Sequence, residues 1–188
     1  MKHVRGLRHE PGVREPRELF VEVFEATYVD VVRFAARRID PGRAEDIAAE
    51  AFAVAWRRLD ALPLELGQAR AWLFGIARKL LLAHHRQANG VLLVQLADEV
   101  GVDGHEESVA GIADLAAAWQ RLQPVHQESI SLTAWDGLTG AEAAAVLGIS
   151  PVAYRIRLTR ARKALRALLD STPPATLNRR ATAREGTR

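Results

Sequence analysis

The 188-residue sequence has no cysteine, which excludes disulfides and thiolate-bound metal and is compatible with a reducing compartment. No apolar run approaches the roughly 20 residues that span a bilayer, and nothing reads as a secretory leader. The expected location is therefore the cytoplasm, with no membrane segment of its own. Strand patterning is also missing, since no stretch alternates apolar and polar residues as a half-buried strand does. Lysine is scarce: Lys2, Lys79 and Lys163 stand among 26 basic residues, and the rest are arginine. Catalytic constellations are absent too. Glu45, Asp46 and Glu50 share one helical face, but no nucleophile or metal-spaced histidine accompanies them. His84 and His85 are adjacent and diverge on a helix by about 100°. The chain is read as a non-enzyme with no catalytic residue, no metal and no cofactor.

What is present is helical periodicity with sharp contrasts of charge. Apolar residues make up 48% of the chain, too many for disorder, and the net charge is +3. Residues 1–15 lack any period and read as a disordered arm. From Pro16 to Arg38, Leu19, Val23, Tyr28, Val31, Val32 and Ala35 recur at three- and four-residue steps, predicting an amphipathic helix that Asp40-Pro41-Gly42 breaks. Ala44 to Leu59 predicts a second helix, with Ile47, Ala51, Val54 and Ala55 beside the three acids. After a loop from Leu62 to Gly67, Gln68 to Gln87 predicts a third, carrying Arg70, Arg78, Lys79, His84, His85 and Arg86 with no acid. Three such helices can pack into one small domain, residues 16–88. Trp56, Trp72 and Phe74 are its expected aromatic core.

The charge then changes sign. From Ala88 to Ala118 there are six acids and no lysine or arginine, and Gly101 and Gly104 interrupt any helix. Residues 89–111 are read as a flexible acidic linker. Helices resume near Ile112–Leu122 and Pro124–Asp136, with Trp119 and Trp135 as core candidates. Residues 171–188 read as a disordered tail.

The most specific segment is Thr139–Arg166, TGAEAAAVLGISPVAYRIRLTRARKALR. Thr139 and Glu142 have capping-box spacing, which fixes where a short helix begins. Gly148 tolerates positive φ at its end, and Ser150-Pro151 supplies an N-cap and a proline at N1 for the next helix. That next helix carries Arg155, Arg157, Arg160, Arg162, Lys163 and Arg166 without an acid. A short capped helix, a tight turn and an arginine-bearing helix form the layout of a helix-turn-helix, which lays its second helix in the DNA major groove. The expected fold is thus all-α: a three-helix N-terminal domain and a helix-turn-helix domain, residues 112–170, joined by the acidic linker.

Three segments together resemble the extracytoplasmic-function group of the sigma-70 family, bacterial RNA polymerase sigma factors. Ala44-Glu45-Asp46-Ile47 through Ala55-Trp56 is similar to the family's AEDxxxExFxxAW core-binding helix. Ala71-Trp72-Leu73-Phe74-Gly75-Ile76-Ala77-Arg78 through His84-His85-Arg86 is similar to its AWLxxIARNxxxDxxR segment, which opens and reads the −10 promoter element. Leu122 through Leu165 is similar to the segment that reads the −35 element. The resemblance covers about residues 18–168. It implies a sigma factor that binds core RNA polymerase and directs promoter-specific initiation. Its partners would be core RNA polymerase and promoter DNA, with an anti-sigma factor admitted as a third. The residues implied are Glu45, Asp46 and Glu50 for docking on polymerase. For −10 DNA they are Arg70, Arg78, Lys79, His85 and Arg86, beside the loop from Asp60 to Ala69. For −35 DNA they are Val152, Arg155, Ile156, Arg157, Thr159, Arg160 and Arg162. The acidic linker would lie in the polymerase's positive RNA channel.

Several residues depart from the family pattern. Lys79 stands where asparagine is usual, exchanging a paired donor and acceptor for a charge that suits phosphate. Ala83 replaces Asp or Asn, Gln127 replaces arginine, and Val152-Ala153 replaces Gly-Thr. Ile156 replaces a polar serine, making the expected recognition surface more apolar. Ala143 replaces isoleucine and Tyr154 replaces valine at inward positions, a swap of small for large that can conserve core volume. The alternative is a stand-alone helix-turn-helix regulator that binds duplex DNA without polymerase. The acidic helix, and the lack of a ligand domain or dimerisation heptads, argue against it.

Overall fold

The computed structural model describes residues 15–87, 94–95 and 106–171, with the backbone alone for 106–110. The expected arm 1–15, apart from Glu15, most of the linker, and the tail beyond Ser171 lie outside the described residues. Seven α-helices occur among the described residues: α1 (Pro16–Ala36), α2 (Ala44–Trp56), α3 (Leu66–Gln87), α4 (Glu106–Arg121), α5 (Pro124–Ala134), α6 (Gly140–Leu147) and α7 (Pro151–Asp170). No strand occurs among the described residues.

The N-terminal unit is α1 to α3. Proline at the start of α1 opens that helix, and Leu19, Val23, Thr27, Val31, Phe34 and Ala35 form its buried stripe. Helix α1 ends two residues before the expected Arg38. Asp40 then turns the chain by accepting the Gly42 N–H at 2.8 Å. Ala44, Ala48, Ala51 and Ala55 make one face of α2, small enough for close packing against α1 and α3. Helix α3 buries Ala69, Leu73, Phe74, Ala77 and Leu81, and Phe74 meets Phe34 edge-on at 5.0 Å.

Two expectations are corrected here. Trp56 is not core: it is 46% exposed, with its ring edge-on to Phe20 at 5.1 Å and the Arg17 guanidinium 5.9 Å from its centre. The inward position at that end of α2 belongs to Ala55, which leaves the indole to cap the outer edge. Helix α2 also stops at Trp56 rather than Leu59, and a 3-10 turn over Leu59–Ala61 follows.

The C-terminal unit is α4 to α7. Helix α4 begins at Glu106, six residues inside the expected linker, so Gly111 is helical and is tolerated there. Trp119, Leu122, Ile130 and Ala161 form a second core, which Trp135 and Leu158 flank. Trp119 and Trp135 meet edge-on at 4.7 Å.

The two units are not separated on a free tether. Leu132, Leu138, Ala143, Ala144, Val146 and Tyr154 belong to the same hydrophobic core as the N-terminal helices. Helices α3 and α6 pack directly together, so closely that a Cβ on Gly67 would lie 3.2 Å from Glu142 Oε1. Within the expected linker, Val94 is buried against Trp119 and Ile130. A charged linker still carries an apolar side chain, and this one finds a socket.

Candidate nucleic-acid interface

The helix-turn-helix follows from its local chemistry. Thr139 Oγ1 accepts the Glu142 N–H at 3.3 Å, and Glu142 Oε2 accepts the Thr139 N–H at 2.7 Å, completing the capping box. Gly148 closes α6 in the left-handed region at φ 67°. The Ile149 N–H then returns to the Ala144 carbonyl at 3.0 Å, which sets the angle between the helices. Ser150 Oγ accepts the Ala153 N–H at 3.2 Å, and Pro151 opens α7.

Helix α7 is held by one face. Tyr154 and Ala161 are buried, and the Tyr154 hydroxyl donates to the Ser129 carbonyl oxygen at 2.8 Å. Burial pushes the Tyr154 pKa above its ordinary value of 10.0. With those anchors inward, Val152, Arg155, Ile156, Thr159, Arg160 and Arg162 are exposed together. Arg157 is half-buried, turned toward the protein. Thr159 donates its hydroxyl back to the Arg155 carbonyl at 2.9 Å.

The other expected DNA residues lie on α3, and they divide. Lys79 and Arg86 are exposed. Arg70 and Arg78 are half-buried and engaged across the seam between the units. Arg70 Nη2 donates to the Asp136 carbonyl at 2.8 Å and to Asp30 at 3.2 Å, while its Nη1 donates to the Gly137 carbonyl at 3.2 Å. Arg78 forks onto Glu128, with Nε and Nη2 at 2.7 and 3.1 Å from the two carboxylate oxygens. His85 Nε2 lies 2.8 Å from the Arg38 carbonyl oxygen. Beside these residues, a cavity of about 1110 Å³ opens between the units, lined by Trp72, Arg78 and Lys79 from α3 and by Ala141, Ala145 and Leu147 from α6. Trp72, expected in the core, is half-buried on its wall.

Glu45, Asp46 and Glu50 are exposed on the outer side of α2. Glu45 and Asp46 stand in its first turn, where carboxylates suit the helix dipole, and Glu50 lies further along the helix.

Two regions of the chain match family models: "Sigma-70 region 2" over residues 23–90 and "Sigma-70, region 4" over residues 112–165. The chain is 33% identical to the "ECF RNA polymerase sigma factor SigC" of Mycobacterium tuberculosis over 158 residues, which covers 79% of this chain and 81% of that protein. It is 36% identical to the "RNA polymerase sigma factor CnrH" of Cupriavidus metallidurans, covering 68% and 73%. It belongs to the extracytoplasmic-function sigma factors of the sigma-70 family. Among solved structures, CnrH in complex with the cytosolic domain of CnrY superposes with a TM-score of 0.56 at 29% identity, covering 85% of this chain and 92% of that one. The sigma factor RpoE with the anti-sigma factor NepR from Bartonella quintana shares the fold, with a TM-score of 0.54 at 23% identity and coverage of 84% and 98%. This sigma factor directs RNA polymerase to promoters, and the stand-alone regulator is not favoured.

Sequence reasoning missed the residues of the seam. Arg38 is fully buried, its guanidinium 3.7 Å from the Phe34 ring centre. Its Nη1 donates to the Phe34 carbonyl, and its Nη2 donates to Ser131 Oγ and Asp136 Oδ2, all at 2.8 Å. Desolvation lowers the Arg38 pKa, and the Asp136 charge opposes that shift. Arg37 holds the other Asp136 oxygen. Nothing local marked these arginines, because their partners lie 98 and 99 residues away.

Proposed function

We propose that the two helical units divide promoter recognition between them. The unit over residues 16–88 docks on core RNA polymerase through Glu45, Asp46 and Glu50, and it holds the −10 strand with Arg70, Arg78, Lys79, His85 and Arg86. The unit over residues 112–170 reads the −35 duplex. The observation that carries this reading is α7, anchored by Tyr154 and Ala161 while Val152, Arg155, Ile156, Thr159, Arg160 and Arg162 stand exposed on it. A helix so held offers bidentate guanidinium forks for guanine edges and phosphates, and two apolar side chains for thymine methyls.

Under this reading Arg155 and Arg160 face the groove. Arg162 clamps phosphate, and half-buried Arg157 steadies the unit or its backbone contacts. Lys79 contacts phosphate where an asparagine would read a base. Capturing an unstacked −10 base costs a few kcal/mol, which phosphate and pocket contacts must offset. The protein makes and breaks no bonds itself; it works in the cytoplasm beside the polymerase. An anti-sigma factor is a further partner, supported by solved relatives that were captured with one.

The test is transcription in vitro with core polymerase, followed by mapping of the start site. Specific initiation only when both sigma factor and core are present is the expected result. Equal, sequence-specific binding to promoter duplex with and without polymerase would favour a stand-alone regulator.

A further inference from the structure

We infer that α7 recognises the C5-methyl group of pyrimidines, through Val152, Ile156 and Thr159, so that 5-methylcytosine stands in for thymine in the −35 element. This specificity rests on the −35 role proposed above and adds to it the chemical group that is read.

Helical geometry sets those three side chains in one line. At about 3.6 residues per turn, Val152, Ile156 and Thr159 fall within an arc of about 60°. Tyr154 and Ala161, the buried anchors of α7, centre on the opposite side, about 180° away. The three side chains therefore form the outermost ridge of the helix. Val152 and Ile156 are 55% and 47% exposed, and no other large apolar side chain of α7 is as open. They stand where the family pattern has glycine and serine. The Thr159 hydroxyl donates to the Arg155 carbonyl at 2.9 Å, which commits its proton within the helix and leaves its methyl as the group it lends the ridge.

The rest of α7 narrows what such a ridge can meet. Arg155 and Arg162 lie on one flank and Arg160 on the other, and all three are exposed, as are Lys163 and Arg166. A protein surface covering the ridge would have to accommodate those cations beside it, whereas a groove between two rows of phosphates suits both. The helix contains no asparagine or glutamine to fork onto adenine. Its single acid, Asp170, is its last residue, too far from the ridge to accept from a cytosine amino group there. Arginine for guanine and methyl for thymine are the base contacts left. Thymine and 5-methylcytosine carry the same methyl in the same place. They differ at C4, a carbonyl in one and an amino group in the other, for which the ridge offers neither a free donor nor a carboxylate. Val152 to Ile156 advances about 6 Å, close to two base-pair steps, so the methyls read belong to pyrimidines about two pairs apart.

Both apolar positions are exposed, so Val152→Ser and Ile156→Ser alter the ridge without disturbing the core. The best-bound −35 duplex is titrated into the full-length chain, alone and bound to core polymerase, with each thymine replaced in turn by deoxyuridine, which removes only the methyl. The same positions are then occupied by cytosine and by 5-methylcytosine. In the parent, loss of the methyl should weaken binding about fourfold at two positions, the equivalent of one buried methyl group at each. Methylation of cytosine at those positions should regain about the same factor. Ile156→Ser should flatten one of the two positions and Val152→Ser the other. Deoxyuridine tolerated everywhere, or a preferred duplex with no thymine, would overturn the methyl reading and leave the −35 role standing, provided the chain still ranks duplexes by sequence. Deoxyuridine losses that persist undiminished in both variants would overturn the assignment to the ridge. A chain that binds all duplexes alike in both forms overturns the −35 role itself, and the methyl reading with it.

Discussion

Tyr154 and Ala143 offer a direct test of whether two departures from the family pattern compensate each other. Both are fully buried in the core that joins α6 to α7. Restoring the family residue, Tyr154→Val, removes the hydroxyl bond to the Ser129 carbonyl, worth about 1 kcal/mol. Trading the ring for an isopropyl group also gives up roughly 60 Å² of apolar burial, about 1.5 kcal/mol, before any cavity cost. The single change should therefore destabilise by about 3–4 kcal/mol. Ala143→Ile alone overpacks a site with no free surface and should cost about 1–3 kcal/mol. Were the two independent, the double variant would lose roughly 4–7 kcal/mol. If the isoleucine fills the space that the phenol vacates, the double variant should recover about 1–3 kcal/mol of that sum. Urea unfolding followed by far-UV circular dichroism gives all four corners of the cycle, with a constant m-value as the check on two-state behaviour. Additivity to within about 0.5 kcal/mol would refute the compensation and show that the two sites do not share a cavity.

Asp46→Arg should leave stability within about 0.5 kcal/mol, since the position is exposed, yet abolish stable binding to core polymerase; co-purification at parental yield would end the docking role of that face. Arg155→Ala should cost about 1–3 kcal/mol and relax preference at one −35 position, whereas Arg162→Ala should weaken all −35 duplexes alike and lower the salt slope by about one unit. Titrations against a duplex library at several salt concentrations separate the two, and a uniform loss for Arg155→Ala would make it a backbone clamp. Lys79→Asn should sharpen base preference at one −10 position while reducing the salt slope by about 0.7–0.9; an unaltered promoter profile would place Lys79 off the strand. Because burial raises the Tyr154 pKa in the folded chain, the unfolded chain loses that proton first. Stability is held below about pH 10 and should decline as pH climbs through the folded value; Tyr154→Phe should remove that part of the slope, read as melting temperature against pH.

The elements that were legible in the sequence are those whose signals are local. Thr139 and Glu142 are three residues apart, Gly148 and Ser150-Pro151 punctuate one turn, and together they located α6 and α7 to the residue. The stripes of α1 and α2 were equally readable, because burial repeats every three or four positions. Trp56 was misplaced because period alone does not say which of two neighbouring residues, Ala55 or Trp56, takes the inward place at a helix end. The seam was invisible for a different reason. Arg37 and Arg38 look like any basic helix end, and Asp136 looks like a turn residue before Gly137, until tertiary packing brings them together. Arg70 and Arg78 showed the same limit: their charge marked them for an anionic partner, but Glu128 and two carbonyl groups of the chain can fill that role as well.

The seat of Val94 also sets how far the two halves can stray. Val94 comes seven residue steps after Gln87, the last of α3, and a fully extended chain covers at most about 3.3–3.6 Å per step. While Val94 stays in its socket the leash is at most about 25 Å long. Freed, the nineteen residue steps from Gln87 to Glu106 can reach roughly 65 Å. One turn of duplex advances about 34–36 Å, so with Val94 seated the end of α3 stays within less than a single turn of DNA of that socket. Any arrangement that carries the end of α3 further than that from the socket can form only after that one side chain has left it, which makes a single valine the stop on the leash.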